Sequence, residues 1–221
     1  MAECVWRDLG RMEYGAAFDL QRELVERRKR DQIPDQLLFV EHPHVITLGR
    51  NGKPEHLLAG EEHLRRAGIA FYPTDRGGDI TYHGPGQLVG YPILDLKQWK
   101  RDVGEYLRAI EEVLIGALGC FGLRAQRAAG MTGVWVEGAK VAAIGVHISR
   151  WVTSHGFALN VTTDLRYFQY VVPCGLTKPV TSMEKLLGRD PEREQVMAAV
   201  VAEFGRVFGR KLKPVEVLCQ T

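Results

Sequence analysis

Cys174 is the cysteine of this 221-residue sequence best suited to nucleophilic catalysis. Cys174 lies in the segment VVPCGL, where Pro173 stiffens the approach and Gly175 leaves space beside the sulfur. A thiol on a rigid loop that follows an apolar run is well placed to attack a substrate. The alternative is a small buried apolar side chain, which is what most free cysteines are.

A nucleophilic cysteine needs a neighbour that favours its thiolate, because an ordinary thiol with a pKa of about 8.5 is mostly protonated at neutral pH. The candidates are His83, His155 and Lys140, which follows the turn Glu137-Gly138-Ala139 and could extend from a hairpin into a cleft. The alternative for Lys140 is a solvent-facing position, the usual one for a lysine. Order along the chain does not choose between these candidates.

The segment RGGDITYHGPGQLVGYPI, Arg76–Ile93, is rich in glycine and bounded by apolar runs. Gly77-Gly78 removes two Cβ atoms where the chain bends or where a ligand approaches the backbone. Gly84-Pro85-Gly86 predicts a type II turn, since proline suits its first central position and glycine the positive φ of its second. A strand is predicted from residue 87 to residue 94. The alternative is a β-hairpin whose loop has no role in chemistry.

Charge, hydropathy and motifs argue against several classes of protein. The net charge of +2 is too small to indicate a nucleic-acid partner, and no apolar run approaches the roughly 18–20 residues that span a bilayer. The sequence has no GxxxxGK[ST] phosphate loop, GxSxG elbow or HExxH motif. Its four cysteines are scattered without CxxC spacing, so we expect free thiols, no metal site and a cytoplasmic protein. Cys120 is expected in the core, on the apolar face of a helix.

Hydrophobic periodicity predicts strands in the middle of the chain and helices towards both ends. The predicted helices cover 14–30, 61–67, 102–121 and 191–208. The predicted strands cover 36–41, 45–48, 87–94, 134–136, 140–149, 153–161, 168–172 and 212–217. This pattern indicates an α+β or layered α/β fold in one domain over residues 1–221.

Three segments, in order and with similar spacing, resemble the lipoyl(octanoyl)transferases: RGGDITYHGPGQLVGYPI, TGVWVEGAKVAAIGVHISRWVTSHGFALNV and VVPCGL, with Thr181-Ser182 just after. The similarity runs from Val5 to Leu187. It implies the catalytic fold of biotin and lipoate protein ligases, a mixed, largely antiparallel β-sheet flanked by helices. It also implies transfer of an octanoyl group from octanoyl-acyl carrier protein to one lysine of a lipoyl domain. The acceptors implied are the lipoyl domains of 2-oxoacid dehydrogenase E2 subunits and the glycine cleavage H protein.

The resemblance also implies roles for individual residues. Cys174 matches the family's nucleophile, which carries the acyl group as a thioester, and Lys140 matches the lysine that lowers the pKa of that thiol and assists proton transfer. We therefore expect the two side chains to lie within about 3–4 Å of each other. The residues that match the walls of the acyl and substrate pocket are Arg76, Gly77, Gly78, Asp79, Ile80, Thr81, Tyr82, His83, Ala143, Ile144, Gly145, Gly156, Phe157 and Ala158. The glycines among them are expected to make room for the acyl chain.

Two other functions are considered. An ATP-dependent lipoate or octanoate ligase on the same fold would activate the acid as an adenylate and need no cysteine, so Cys174 argues against it. A non-catalytic fatty-acyl binding protein would show no turnover. In the transferase, moving the acyl group from one thioester to another changes the free energy little, and forming the amide from a thioester lowers the free energy. We therefore expect no ATP, metal or other cofactor, in keeping with the missing phosphate loop.

Overall fold

A computed structural model describes residues 2–171 and 179–215 of the chain; Cys174 lies outside these residues. The strands and helices are, in chain order, β1 (Ala2–Arg11), α1 (Tyr14–Lys29), β2 (Asp35–Glu41), β3 (Val45–Leu48), α2 (Glu61–Arg66), β4 (Ala70–Pro73), β5 (Ile80–His83), β6 (Gln87–Ile93), α3 (Val103–Gly119), β7 (Gln126–Ala128), β8 (Met131–Val136), β9 (Ala139–Ser149), β10 (Val152–Asn160), α4 (Met183–Leu187), α5 (Arg193–Phe208) and β11 (Arg210–Pro214). Short 3-10 helices cover Pro54–His56, Leu96–Gln98 and Leu165–Tyr170.

Eight strands form one large mixed sheet in the order β11-β1-β2-β6-β10-β9-β8-β7. The β11–β1 and β1–β2 pairs are parallel, and the five other pairs are antiparallel. Every residue of β6 and β10 is buried, so the centre of the sheet is covered on both faces. A mixed, largely antiparallel sheet flanked by helices is therefore confirmed.

Strands β4, β3 and β5 form a second, three-stranded sheet. Although β5 and β6 are consecutive, β5 pairs with β3, whereas β6 pairs with β2 and β10. The turn between them has the expected type II features: Gln87 N donates to Gly84 O at 3.2 Å, and φ of Gly86 is +77°. The predicted turn is confirmed, but the hairpin alternative is wrong, because this turn passes the chain from one sheet to the other.

Helices α3 and α5 pack against each other and cover one face of the large sheet, whereas α1 covers the other face against β6 and β10. Helix α3 begins after Asp102, whose carboxylate accepts the N–H of Glu105 at 2.9 Å. It ends at Gly119, so the capping residue Cys120 leaves the buried face and is exposed. The prediction that Cys120 lies in the core is wrong. No helix in the described ranges is long and apolar enough to cross a membrane.

The predicted strand 168–172 is wrong over its described part, because Leu165–Tyr170 forms a 3-10 helix. The side chain of Asp164 caps it by accepting the N–H of Arg166 at 3.0 Å. Ring packing fixes the segment: Tyr167 stacks on Tyr82, with ring centroids 5.1 Å apart, and on His44, at 4.4 Å. These long-range contacts outweigh the β-propensity of an aromatic run.

The edge of the large sheet departs furthest from the prediction. Periodicity does not predict β1, because Cys4 is its one fully buried residue and its apolar and charged residues do not alternate cleanly. The strand predicted at 212–217 is β11, which begins earlier, at Arg210. A buried ion-pair network ties this edge to α1: Asp35 accepts Nε of both Arg28 and Arg210 at 2.8 Å.

Candidate active site

A cavity of about 380 Å³ lies between the large and the small sheet, on the face of the large sheet that α1 covers. Its floor is formed by β6, β9 and β10, and the segment 76–83 faces that floor. Gln87, Val89 and Tyr91 alternate along β6, so their side chains point into the cavity together. This volume falls in the range of roughly 300–1,000 Å³ found for small-molecule pockets.

The structure brings three distant segments of the chain to this cavity, and most of the pocket residues expected from the sequence line it. They are Arg76, Gly78, Asp79, Ile80, Thr81, His83, Ala143, Ile144, Gly145, Gly156, Phe157 and Ala158. Two expected residues do not line it. Gly77 instead donates its N–H to Val146 O at 2.8 Å. Tyr82 is buried beneath the small sheet, where its hydroxyl bonds with His44 Nδ1 at 2.7 Å.

Lys140, on β9, lines one end of the cavity. Its Nζ lies 5.0 Å from the centroid of the Trp135 ring, and a ring face attracts a cation. Its backbone pairs with the segment that follows residues 172–178: Lys140 N donates to Pro179 O, and Thr181 N donates to Lys140 O, both at 2.9 Å. Residues 179–181 therefore run beside Lys140. Cys174 itself lies outside the described residues, so its pairing with Lys140 stays a prediction.

A chain of buried polar side chains crosses the cavity floor near Lys140. His83 Nδ1 donates to Gln87 Oε1 at 2.8 Å, and Gln87 Nε2 donates to Asn160 Oδ1 at 2.9 Å. Asn160 Nδ2 donates to Thr181 O at 3.0 Å. Burial lowers the pKa of His83 to about 3, with the nearby positive charge of Arg76 acting in the same direction. His83 is thus neutral at neutral pH and supplies no positive charge to stabilise a thiolate.

The opposite end of the cavity is closed by aromatic and histidine side chains. The Tyr91 hydroxyl donates to His42 Nε2 at 2.7 Å, and His42 Nδ1 donates to Met12 O at 2.8 Å. Burial lowers the pKa of His42 to about 4, so its ring is neutral and can accept this bond. The Tyr14 ring packs against His42, with ring centroids 5.2 Å apart. This end is therefore rigid and densely packed.

His155 also lies at this opposite end. Its Nε2 forms a hydrogen bond with Asp75 Oδ1 at 2.7 Å. The backbone of His155 has a φ of +55°, and its N–H donates to Gln21 Oε1. In the β9–β10 ladder His155 faces Val146, six residues along β9 from Lys140, a separation of about 20 Å. Of the three candidates for favouring a thiolate, the geometry therefore separates His155 from the end where Lys140 lies.

The segment 76–83 is held over the cavity by hydrogen bonds within the protein. The guanidinium of Arg76 is buried and donates to Thr47, from Nη2 to the carbonyl at 2.7 Å and to Oγ1 at 2.8 Å. The carboxylate of Asp79 accepts the N–H of Ile80 at 2.7 Å and bonds with His56 Nδ1 at 2.5 Å. These contacts give the segment a fixed conformation, which a pocket wall requires.

The expectation that the glycines chiefly make room for an acyl chain needs correction. A Cβ at Gly145 would lie 2.8 Å from Gly77 O, and a Cβ at Gly156 would overlap Gly90 O on β6. These two glycines allow backbone segments to approach closely. Gly78 has a φ of +85°, which strains any other residue whatever space is available. Valine at 78 or 156 would therefore disturb the fold and not simply fill the cavity.

Sequence reasoning missed several lining residues, among them Gln87, Asn160, Tyr91 and Tyr14. The signal for Gln87 and Tyr91 was available, because residues two apart on a strand share a face. Asn160 stands at the end of the apolar run FALN, and a buried amide in such a run needs polar partners. Tyr14 gave no signal, since it reads as part of the apolar stripe of α1.

The chain matches the family model of the lipoyl protein ligase A/B catalytic domain over residues 13–205. An octanoyltransferase of Solibacter usitatus is 60% identical over 214 residues, which cover 97% of both chains. An octanoyltransferase of Koribacter versatilis is 52% identical, over 96% of this chain and 86% of its own. Among solved structures, a bipartite lipoate protein ligase from Thermoplasma acidophilum is similar with a TM-score of 0.79 at 17% identity, covering 97% of this chain and 87% of that chain.

The fold and the family match define the class, that of the lipoyl protein ligase catalytic domains. The chain belongs to this family and, at the identities just given, to its octanoyltransferase members. The fold expected from the resemblance is confirmed. The similarity to the archaeal ligase, at 17% identity, extends to the fold alone.

Proposed function

We propose that this chain transfers an octanoyl group from octanoyl-acyl carrier protein to a lysine of lipoyl domains, as the first step of protein lipoylation. In this proposal Cys174 carries the acyl group as a thioester, and Lys140 favours the thiolate and assists proton transfer. The observation that carries it is the 60% identity with an octanoyltransferase over nearly the whole chain. The acceptors are the lipoyl domains of 2-oxoacid dehydrogenase E2 subunits and the glycine cleavage H protein, and the setting is the cytoplasm.

The dimensions of the cavity support this substrate. From Asn160, near Lys140, to Gly156, at the opposite end, four residues of β10 span about 13 Å. An octanoyl chain has seven carbon–carbon bonds of about 1.5 Å, which gives it an extended length of about 9 Å. An acyl group attached near Lys140 would therefore fit along the floor, over Val89 and Ala158, and end before Tyr91.

The proposed reaction balances without an energy source. The Cys174 thiolate attacks the thioester carbonyl of the donor, and the carrier thiol leaves with a proton. The amine of the acceptor lysine then attacks the new thioester, the Cys174 sulfur leaves, and the amine loses a proton as the amide forms. Lys140 is suited to pass these protons and, as a cation, to favour the thiolate.

Intact mass spectrometry tests the acyl intermediate. After incubation with octanoyl-acyl carrier protein, the wild type should gain the mass of one octanoyl group and lose it when a lipoyl domain is added. Cys174→Ala should show neither the adduct nor turnover. Cys120→Ala is the matched control, because Cys120 is an exposed thiol at the end of α3. An adduct that persists in Cys174→Ala would exclude the proposed thioester.

The same assay separates the two alternatives. An ATP-dependent ligase would octanoylate the lipoyl domain from free octanoate and ATP, without the acyl carrier protein. A non-catalytic binding protein would retain the acyl group and never transfer it. Turnover from the carrier thioester in the absence of ATP is the result expected for the transferase.

A further inference from the structure

Glu111 is a fully buried carboxylate on a helix face that is otherwise apolar. Its Oε2 accepts from Arg108 Nη1 at 2.6 Å and from Arg127 Nε at 3.0 Å, and both arginine side chains are half-exposed. Its Oε1 accepts the N–H of Gly133 at 3.1 Å. Burying a charge costs free energy unless the charge is paired and hydrogen-bonded. These contacts therefore hold the carboxylate in place and, with it, the backbone at Gly133.

Gly133, which Glu111 holds, lies at an irregular position in β8. Its φ is +137°, and the register between β8 and β9 shifts at the next pair, between Val134 and Trp135. A Cβ at Gly133 would lie 2.8 Å from Ala142 O and 3.5 Å from Cε of Lys140. The shift sets Trp135 opposite Lys140, and the Trp135 ring faces the ammonium of that lysine. The irregular position that Glu111 contacts therefore lies directly against Lys140 and its partner Trp135.

The hairpin that Glu111 holds is also a wall of the cavity. Strands β7 and β8 are joined at Gly130, and Gly130, Met131 and Thr132 line the cavity beside Lys140. Arg127, on β7, is fixed to helix α3 at two points, because Nε bonds with Glu111 and Nη2 donates to the Arg108 carbonyl at 2.9 Å. One carboxylate thus connects α3 with both strands of this wall.

We propose that Glu111 is a positioning residue for acyl transfer: through Gly133 and Arg127 it sets the β7–β8 wall and the placement of Lys140 against Trp135. This inference rests on the proposed role of Lys140. Glu111 is not among the residues that line the cavity, and it reaches the cavity wall through the Gly133 N–H and the Arg127 side chain. Its effect should therefore fall on the rate of the chemical step and not on the binding of the acceptor.

Glu111→Gln tests the proposal, because it keeps the size of the side chain while removing the charge that pairs with the two arginines. Misplacement of reacting groups by about 1 Å can lower a rate by about a hundredfold. We expect kcat to fall by about tenfold or more, with KM for the lipoyl domain changed less than about twofold. Glu112→Gln is the matched control, since Glu112 is the next residue, is exposed and also pairs with an arginine, Arg206.

Two further measurements keep the test decisive. The rate at which Lys140 is acetylated by a small reagent, followed by peptide mass spectrometry, should rise in Glu111→Gln and stay unchanged in Glu112→Gln. This readout does not require enzymatic activity. If Lys140→Ala keeps full turnover, the proposed role of Lys140 fails, yet the labelling result still reports on Glu111.

A double-mutant cycle measures the coupling directly. If Glu111 acts through Lys140, Glu111→Gln should lower kcat much less in a Lys140→Ala background than in the wild type. If Glu111→Gln does not fold, Arg127→Ala is the substitute, because it removes the ion pair between Glu111 and β7 at a half-exposed side chain. The same loss of kcat is expected. Wild-type kcat together with wild-type labelling of Lys140 in a folded Glu111→Gln protein would overturn the proposal.

Discussion

Replacing Gly145 with alanine should separate the segment 76–83 from the cavity floor. Gly145 lies on β9 beneath Arg76 and Gly77, and an added Cβ would stand 2.8 Å from Gly77 O and 3.3 Å from Cδ of Arg76. Ordinary contact begins at 3.4 Å, so the segment must move by about 0.6 Å or more. The bond from Gly77 N to Val146 O, at 2.8 Å, lies directly beside this contact and would be stretched or lost.

The size of the effect follows from these contacts. Leaving a buried backbone group without its partner costs about 1–3 kcal/mol, and overpacking adds about 1 kcal/mol. Alanine recovers about 0.4–1 kcal/mol by restricting the unfolded chain. The free energy of unfolding should therefore fall by about 1–3 kcal/mol. With an m-value of about 2 kcal/mol/M, the urea midpoint should fall by about 0.5–1.5 M.

Urea unfolding followed by circular dichroism measures this change, and octanoyl transfer measures its effect on the site. We expect a roughly tenfold loss of kcat, because the displaced segment is a wall of the cavity. Gly119→Ala is the control: it lies at the end of α3, and within the described part of the chain no atom outside its neighbours and the helix's own backbone lies within 4 Å of its Cβ position. A wild-type midpoint and kcat for Gly145→Ala would refute the close-approach argument.

Three further outcomes are expected. Burial lowers the pKa of His42 to about 4 and of His83 to about 3, so the unfolded chain binds protons first as the pH falls. The contribution of these two histidines to the free energy of unfolding is complete above about pH 6.5 and should fall towards pH 4 by about 1.4 kcal/mol per pH unit for each histidine. Urea midpoints that do not change with pH would contradict this. Arg28→Met leaves Asp35 short of a buried partner and should cost about 3–5 kcal/mol in urea unfolding, whereas the exposed Arg22→Ala should change stability by less than about 0.5 kcal/mol. Lys140→Ala should lower kcat by about 10²–10⁴-fold at an unchanged melting temperature, and a wild-type kcat would exclude its proposed role.

Local chemistry explains why much of the fold could be predicted from the sequence. The apolar stripe of α3 and its Asp102 cap lie within a few residues of each other, so the helix is defined by contacts that the sequence displays directly. The type II turn at Gly84-Pro85-Gly86 needs only the backbone preferences of its own residues. The pocket segments were identified by their similarity to a family, and the structure places twelve of the fourteen residues around one cavity.

Other features depend on partners far away in the sequence. Only the tertiary structure shows that β5 and β6 enter different sheets, because the turn that joins them is compatible with a plain hairpin too. The 3-10 helix around Tyr167 forms because Tyr82 and His44 offer their rings. In the sequence, Glu111 is indistinguishable from an ordinary helix residue, because its partners Arg127 and the Gly133 N–H come close to it only in the folded protein. Hydrophobic periodicity indicates which residues are buried. Which groups each buried residue contacts depends on how the strands and helices pack together.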